Sequence, residues 1–221
     1  MTTPTMEAPV SQPKAESFLD WFRINSRMVT IASIVVAAAA FGFWFYNRSA
    51  VLKAENADRK LLAAKQSLTS GNVPLAQSDL KKVADQYPST SAGAEAGMLL
   101  AQSKLEQGDY QGAVTSLKDL TGKIPSGPYA TPIHVLLGDA YAQLAKYAEA
   151  AAEYAKASEL TTAPNERALL LAKIGRVQTA AGNAAKAREA WEALAKQNDN
   201  AGLAAEARVR LGELLATAAK G

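Results

Sequence analysis

A step of 37 residues returns the same kind of side chain to the same place along most of this chain. From Leu137 it reaches Ala63, Leu100, Ile174 and Leu211, all apolar; from Gly138 it reaches Ala64, Ala101, Gly175 and Gly212, all small. A turn position holds Gly71, Gly108, Ala145 and Gly182. Beyond it, Ala76, Ala113, Ala150 and Ala187 form a close-contact column, and Leu80, Leu117, Tyr154 and Trp191 a bulky one. This period suits two helices joined by a tight turn, where glycine accepts a left-handed backbone at little cost. One such pair cannot bury its apolar face alone, so successive pairs must stack. The expected fold class is all-α: four helix pairs and a capping helix in a solenoid, with no competing alternation of strands.

Composition narrows the function classes. Of the 221 residues, 48% are hydrophobic, dominated by alanine, and strong helix formers fill the last three quarters. The net charge of +3 is small, acids and bases interleave from Leu52 onward, and no basic stripe carries aromatic residues, which argues against nucleic acid. With no cysteine there is neither disulfide nor thiol chemistry. His134, the single histidine, occupies a packing slot, and no acidic cluster has metal-ligand spacing. The glycines fall at helix turns or close contacts rather than in a phosphate loop. Glu149 and Glu153 are expected on a solvated face. No catalytic, cofactor or metal site is expected, no small-molecule substrate is evident, and the chain does not read as an enzyme.

Three segments follow from the order of residues. Residues 1–27 begin with a Thr/Pro/Ser-rich stretch that cannot bury a core. A short helix from Lys14 then carries Phe18, Leu19 and Phe22 on one side and Trp21 at its margin. Residues 28–46 contain no charge and would extend roughly 28 Å as a helix, close to the hydrocarbon thickness of a bilayer. Trp21, Phe22, Trp44 and Tyr46 are the membrane-interface candidates. Bulky aromatics stand where a signal peptide would need a small-x-small cleavage site, so an uncleaved anchor is expected. Lys14, Arg23 and Arg27 before the span are balanced by Arg48, Lys53, Arg59 and Lys60 after it, so charge bias leaves the orientation open. Residues 47–221 form the repeat domain, with helices expected over 51–70, up to 86, 91–107, 110–122, 132–144, 147–160, 165–181, 184–196 and 202–219.

The run His134-x2-Leu137-Gly138-x2-Tyr141, Ala150-x3-Tyr154, Pro164 resembles a tetratricopeptide (TPR) repeat. Trp21-Phe22-x2-Asn25, Gly42-x2-Phe45-Tyr46-Asn47 and Tyr87-Pro88-x-Thr90 resemble, more narrowly, the ancillary Sec-translocon subunit (YfgM-like) family of bacterial inner-membrane proteins. That resemblance implies a cytoplasmic N-terminus, one membrane span and a periplasmic TPR-like domain beside the translocon and periplasmic chaperones. The expected function is a membrane-tethered protein-binding scaffold for translocon components, chaperones or translocating chains. A structural subunit of a stable membrane complex, or a cell-envelope or division coordinator, is the alternative.

In a TPR-like solenoid the first helix of each pair lines the concave surface. The column Lys65, Gln102, Asp139, Arg176 and Glu213 is therefore expected to face water in the groove, with apolar contacts near Leu61, Met98 and Leu105. Gly175 is expected to pack closely against a neighbouring helix.

Overall fold

The computed structural model describes Trp21 and residues 23–197 and 200–218. Most of the short helix expected from Lys14, with Phe18, Leu19 and Phe22, lies outside these residues. Among the described residues there are nine helices and no strand: α1 (Ser26–Thr69), α2 (Val73–Gln86), α3 (Ser91–Glu106), α4 (Tyr110–Lys123), α5 (Ala130–Gln143), α6 (Tyr147–Leu160), α7 (Pro164–Ala180), α8 (Ala184–Ala195) and α9 (Ala201–Ala218). The span and the first repeat helix, expected to be continuous or to follow one another closely, are one helix. The chain divides into two units, with Leu52 ending the first and Lys53 opening the second.

In the first unit, α1 is long and apolar enough to cross a membrane, the one such helix among the described residues. Ile31, Ile34, Val35 and Val36 are all exposed, as are the rings from Phe41 to Tyr46. The Thr30 hydroxyl donates to the Ser26 carbonyl at 2.8 Å, so this polar group is satisfied within the helix. Phe41 lies beside Trp44 and Phe45, with ring centroids 5.9 and 6.5 Å away.

In the second unit the repeat columns become structure. At each turn two amides reach back to the preceding helix in the same pattern. Gly71 and Asn72 donate to Leu68 and Ser67, and Gly182 and Asn183 donate to Thr179 and Gln178. This helix ending requires a left-handed residue. Gly71, Gly108 and Gly182 supply it at φ of 78°, 77° and 74°, and Ala145 adopts it at 55°. Ala145 is the one non-glycine residue with positive φ among the described residues. Its Cβ crowds the backbone there at a cost of roughly 1–2 kcal/mol, which glycine relieves at some expense in unfolded-state entropy. Ala145→Gly is therefore expected to stabilise the domain by about 0.5–1 kcal/mol. A thermal melt checks this, and a lowered midpoint would contradict it.

The core is built by matching sizes between paired helices. Ala76, Ala113, Ala150 and Ala187 are fully buried, and so are Leu80, Leu117 and Trp191, with Tyr154 nearly so. Where the bulky residue is leucine, the facing first helix offers alanine: Ala64 shares a cluster with Leu80, and Ala101 with Leu117. Where it is aromatic, the partner is glycine. A Cβ on Gly138 would lie 2.5 Å from Tyr154, and one on Gly175 would lie 2.5 Å from Trp191. The last two pairs thus gain aromatic burial by giving up a methyl group on the opposite helix.

Candidate functional site: the inner face of the repeats

Within the repeat unit the first helices of successive pairs lie side by side, with α3 touching α5 and α7 touching α9. A leucine row runs through Leu62, Leu99 and Leu136, one per helix at the 37-residue step, and gives way to Lys173 and Arg210. Leu62 is 59% exposed, while Leu99 and Leu136 are half-buried. Leu169, on α7, is 52% exposed.

Ion pairs tie neighbouring first helices together across this face. Lys65 Nζ lies 2.5 Å from Glu95 Oε1, and Arg176 bonds both carboxylate oxygens of Glu206 at 2.8–2.9 Å. In both, a residue of one helix meets the residue 30 positions later on the next. At the second step that register pairs Gln102 with Pro132, and no bridge forms. An opening of about 360 Å³ lies there instead, lined by Met98, Leu99, Gln102, Pro132, Val135 and Leu136, with Glu95 and Glu166 among its walls. Glu166 accepts a hydrogen bond from the Thr161 hydroxyl. The opening is an apolar slot flanked by carboxylates, suited to an extended or helical apolar segment.

Toward the C-terminal end the face is polar. Lys173 Nζ lies 2.5 Å from Asp139 Oδ1, and the Tyr154 hydroxyl donates to the same oxygen at 2.6 Å. The Lys173 ammonium also stands 5.2 Å from the centroid of the Tyr154 ring. Burial, and then the Asp139 carboxylate, push the Tyr154 phenol far above its ordinary value of 10.0. The neutral phenol is the form the fold favours. Its contribution is complete below pH 10.0 and is lost progressively as pH rises above it, where the unfolded chain releases the proton and the folded one does not. Tyr154→Phe should flatten the fall of stability between pH 9 and about 11 relative to the parent chain. Denaturant unfolding across that range checks this; parallel curves would contradict it.

A family model described as a tetratricopeptide repeat-like domain matches residues 20–135 and, in a second placement, residues 59–179. The chain belongs to that family. The TPR-like fold recurs in solved structures of low identity. A tetratricopeptide repeat protein from Parabacteroides merdae matches with a TM-score of 0.60 at 15% identity, over 74% of this chain and 61% of that one. PilF of Pseudomonas aeruginosa matches at 0.56 and 21%, over 76% and 71%. MamA matches at 0.53 and 22%, over 73% and 87%. The chain thus spans about three fifths of the Parabacteroides protein's length. No curated protein matches it in sequence. A TPR-like domain is a protein-interaction scaffold.

The TPR-like inner face gathers some of the residues expected there. Met98 and Gln102 line the slot together, and Lys65 lies at its edge through Glu95. Asp139 and Arg176 belong to the ionic stretch, and Glu213 is paired with Arg210 at 2.9 Å on α9. Leu61, at 5% exposure, is a core residue, and Leu105 packs half-buried against the core of the next pair. The leucine row itself was missed, although the same 37-residue step taken from Leu62 reaches it. Glu153 corrects a second expectation. Its carboxylate is largely buried, 2.6 Å from His134 Nδ1 and 2.9 Å from Lys156, so it links α5 to α6 rather than facing solvent. Among the described residues no group of acidic or imidazole side chains could hold a metal ion.

Proposed function

We infer that this chain is a single-pass, membrane-anchored TPR-like scaffold of the ancillary Sec-translocon subunit (YfgM-like) type. It holds partner proteins at the bacterial inner membrane. The observation that carries the binding role is the leucine row opening into an unbridged slot on the inner face. Beside the slot, Lys65 and Arg176 on that face are engaged in bridges to the next first helix. The anchor is assigned to residues 28–46, preceded by a cytoplasmic segment of residues 1–27 and followed by a periplasmic repeat domain from residue 47. Its support is the fully exposed apolar half of α1, with Trp44 and Tyr46 at one end and Trp21 near the other. The partners that fit are translocon components, periplasmic chaperones or translocating chains with an exposed apolar segment.

Two experiments test the reading. Protease added outside spheroplasts should digest the repeats and spare residues 1–27; protected repeats would overturn the topology. Crosslinking in the membrane followed by affinity capture should recover several apolar clients at low occupancy. One stoichiometric partner alone would instead mark the chain as a structural subunit of a stable complex.

A further inference from the structure

The charges of the inner face do not balance, and the excess is acidic although the whole chain carries a net charge of +3. Beside the leucine row, the 37-residue step defines columns through Lys65, Glu95, Glu106 and Glu166. With the row, these columns lie within about 80° of one another around each first helix. Their cations are Lys65, Lys173, Arg176 and Arg210, and each is already held. Lys65 is paired with Glu95, Lys173 with Asp139, Arg176 with Glu206, and Arg210 with Glu206 and Glu213. On the same columns Asp58, Glu106 and Glu166 make no ion pair among the described residues, and Glu55 reaches only Arg59 of its own helix at 4.0 Å. Glu166 stands half-buried in the wall of the slot, where its hydrogen bond comes from the neutral Thr161 hydroxyl. Glu106 accepts from the amide of Gln102, which lines the slot, at 3.2 Å. It is also the last residue of α3, the end of a helix that disfavours a carboxylate. Asp58 is exposed one turn before Leu62. Unpaired negative charge therefore collects beside the apolar part of this face.

We propose that the slot selects partner segments in which lysine or arginine flanks a short apolar run. The proposal rests on the inner face being the partner surface, and adds what that surface prefers. Met98, Leu99, Val135 and Leu136 take the apolar run, and Glu166 with Glu106 or Asp58 takes the flanking cations. Spacing limits the run. Leu99 and Leu136 stand on touching helices, which pack about 10 Å apart, and an extended chain advances about 3.3 Å per residue. One leucine of the row is thus met for about every three residues of such a chain. A neutral apolar segment fills the slot but leaves the carboxylates without counter-charge, and an acidic segment is repelled. A second copy of the chain fits poorly. A two-fold pairing of this face with itself sets Asp58, Glu106 and Glu166 against carboxylates of the same kind, because both copies present the same patch.

The probe is a fluorescein-labelled peptide with blocked ends, leucine at every third position, serine between, and lysine at each end. Two twins carry glutamine or glutamate in place of the lysines. Binding to the full-length protein in nanodiscs of zwitterionic lipid is followed by fluorescence anisotropy, with empty nanodiscs as the blank. The lysine peptide is expected to bind about threefold tighter than the glutamine twin or better, and the glutamate twin weakest. That preference should fall as salt is raised. It should shrink in Asp58→Asn/Glu106→Gln, both exposed positions, and further when Glu166→Gln is added, with circular dichroism confirming helicity. Equal affinities for the three peptides, all blocked by Gln102→Trp, overturn the charge selection and leave the inner-face scaffold standing. No binding by any peptide, or binding that Gln102→Trp does not reduce, overturns both. A lysine preference undiminished in the folded variants places the selecting charge elsewhere and overturns the proposal. Self-association of the parent chain that Gln102→Trp disperses seats a second copy on the face and overturns it equally.

Discussion

Replacing Gly175 by alanine is expected to destabilise the repeat domain by about 1–3 kcal/mol, although alanine is the better helix former at an exposed site. The added methyl would stand 2.5 Å from the Trp191 indole, whose ring is fully buried and cannot retreat. Trp191→Leu alone leaves a cavity and should cost about 2–4 kcal/mol. The double variant recreates the pairing of alanine with leucine that the first two repeats use, Ala64 with Leu80 and Ala101 with Leu117. It should therefore be more stable than the sum of the single losses, by at least about 0.5–1 kcal/mol of coupling. For a domain of this size each kcal/mol moves the melting midpoint by about 2–4 °C. Gly175→Ala with an unchanged or raised midpoint would contradict the size-matching account, and so would strictly additive losses.

Filling the inner slot should remove partner binding without touching the core. Gln102→Trp suits this purpose because Gln102 is exposed and its one side-chain bond, to Glu106 on the same helix, is itself at the surface. An indole there occupies the opening between Met98, Val135 and Leu136. Buried hot-spot contacts are worth roughly 2 kcal/mol or more, so client capture should fall at least tenfold. Leu62→Asp, on the same face and well exposed, should weaken capture with little effect on folding. Circular dichroism keeps the test fair: both variants must remain as helical as the parent. Undiminished capture by folded Gln102→Trp would place the partner surface elsewhere.

Most of the fold was legible in the sequence because repetition is a strong signal. Five columns at one spacing determined the turns and the core. The four turn residues share a left-handed backbone, including Ala145, where residue type alone argues against it. The size matching of Gly138 with Tyr154 and Gly175 with Trp191 was present as columns, though only geometry shows that the columns touch. The inner face was read less well. The polar column through Lys65 and Arg176 keeps its side chains 41% and 53% exposed, but its pairing with Glu95 and Glu206 was not legible, because a sequence does not display which helices become neighbours 30 residues apart. Leu61 and Leu62 illustrate the other difficulty. Adjacent leucines on a helix point about 100° apart, and an error of one position exchanges a core residue for a surface one. Glu153 lay beyond reach for a related reason, since its burial depends on His134 of the facing helix.

The most direct test of the scaffold assignment is site-specific photocrosslinking in intact membranes, with the photoreactive residue placed in turn at positions 62, 102 and 169 on first helices and 118 and 159 on second helices. All five positions are exposed, so accessibility alone does not separate them. Partner adducts concentrated at 62 and 102, and competed away by Gln102→Trp when the probe is at 62, are the predicted result. Adducts of equal yield at 118 and 159, or adducts confined to those two positions, would contradict an inner-face scaffold.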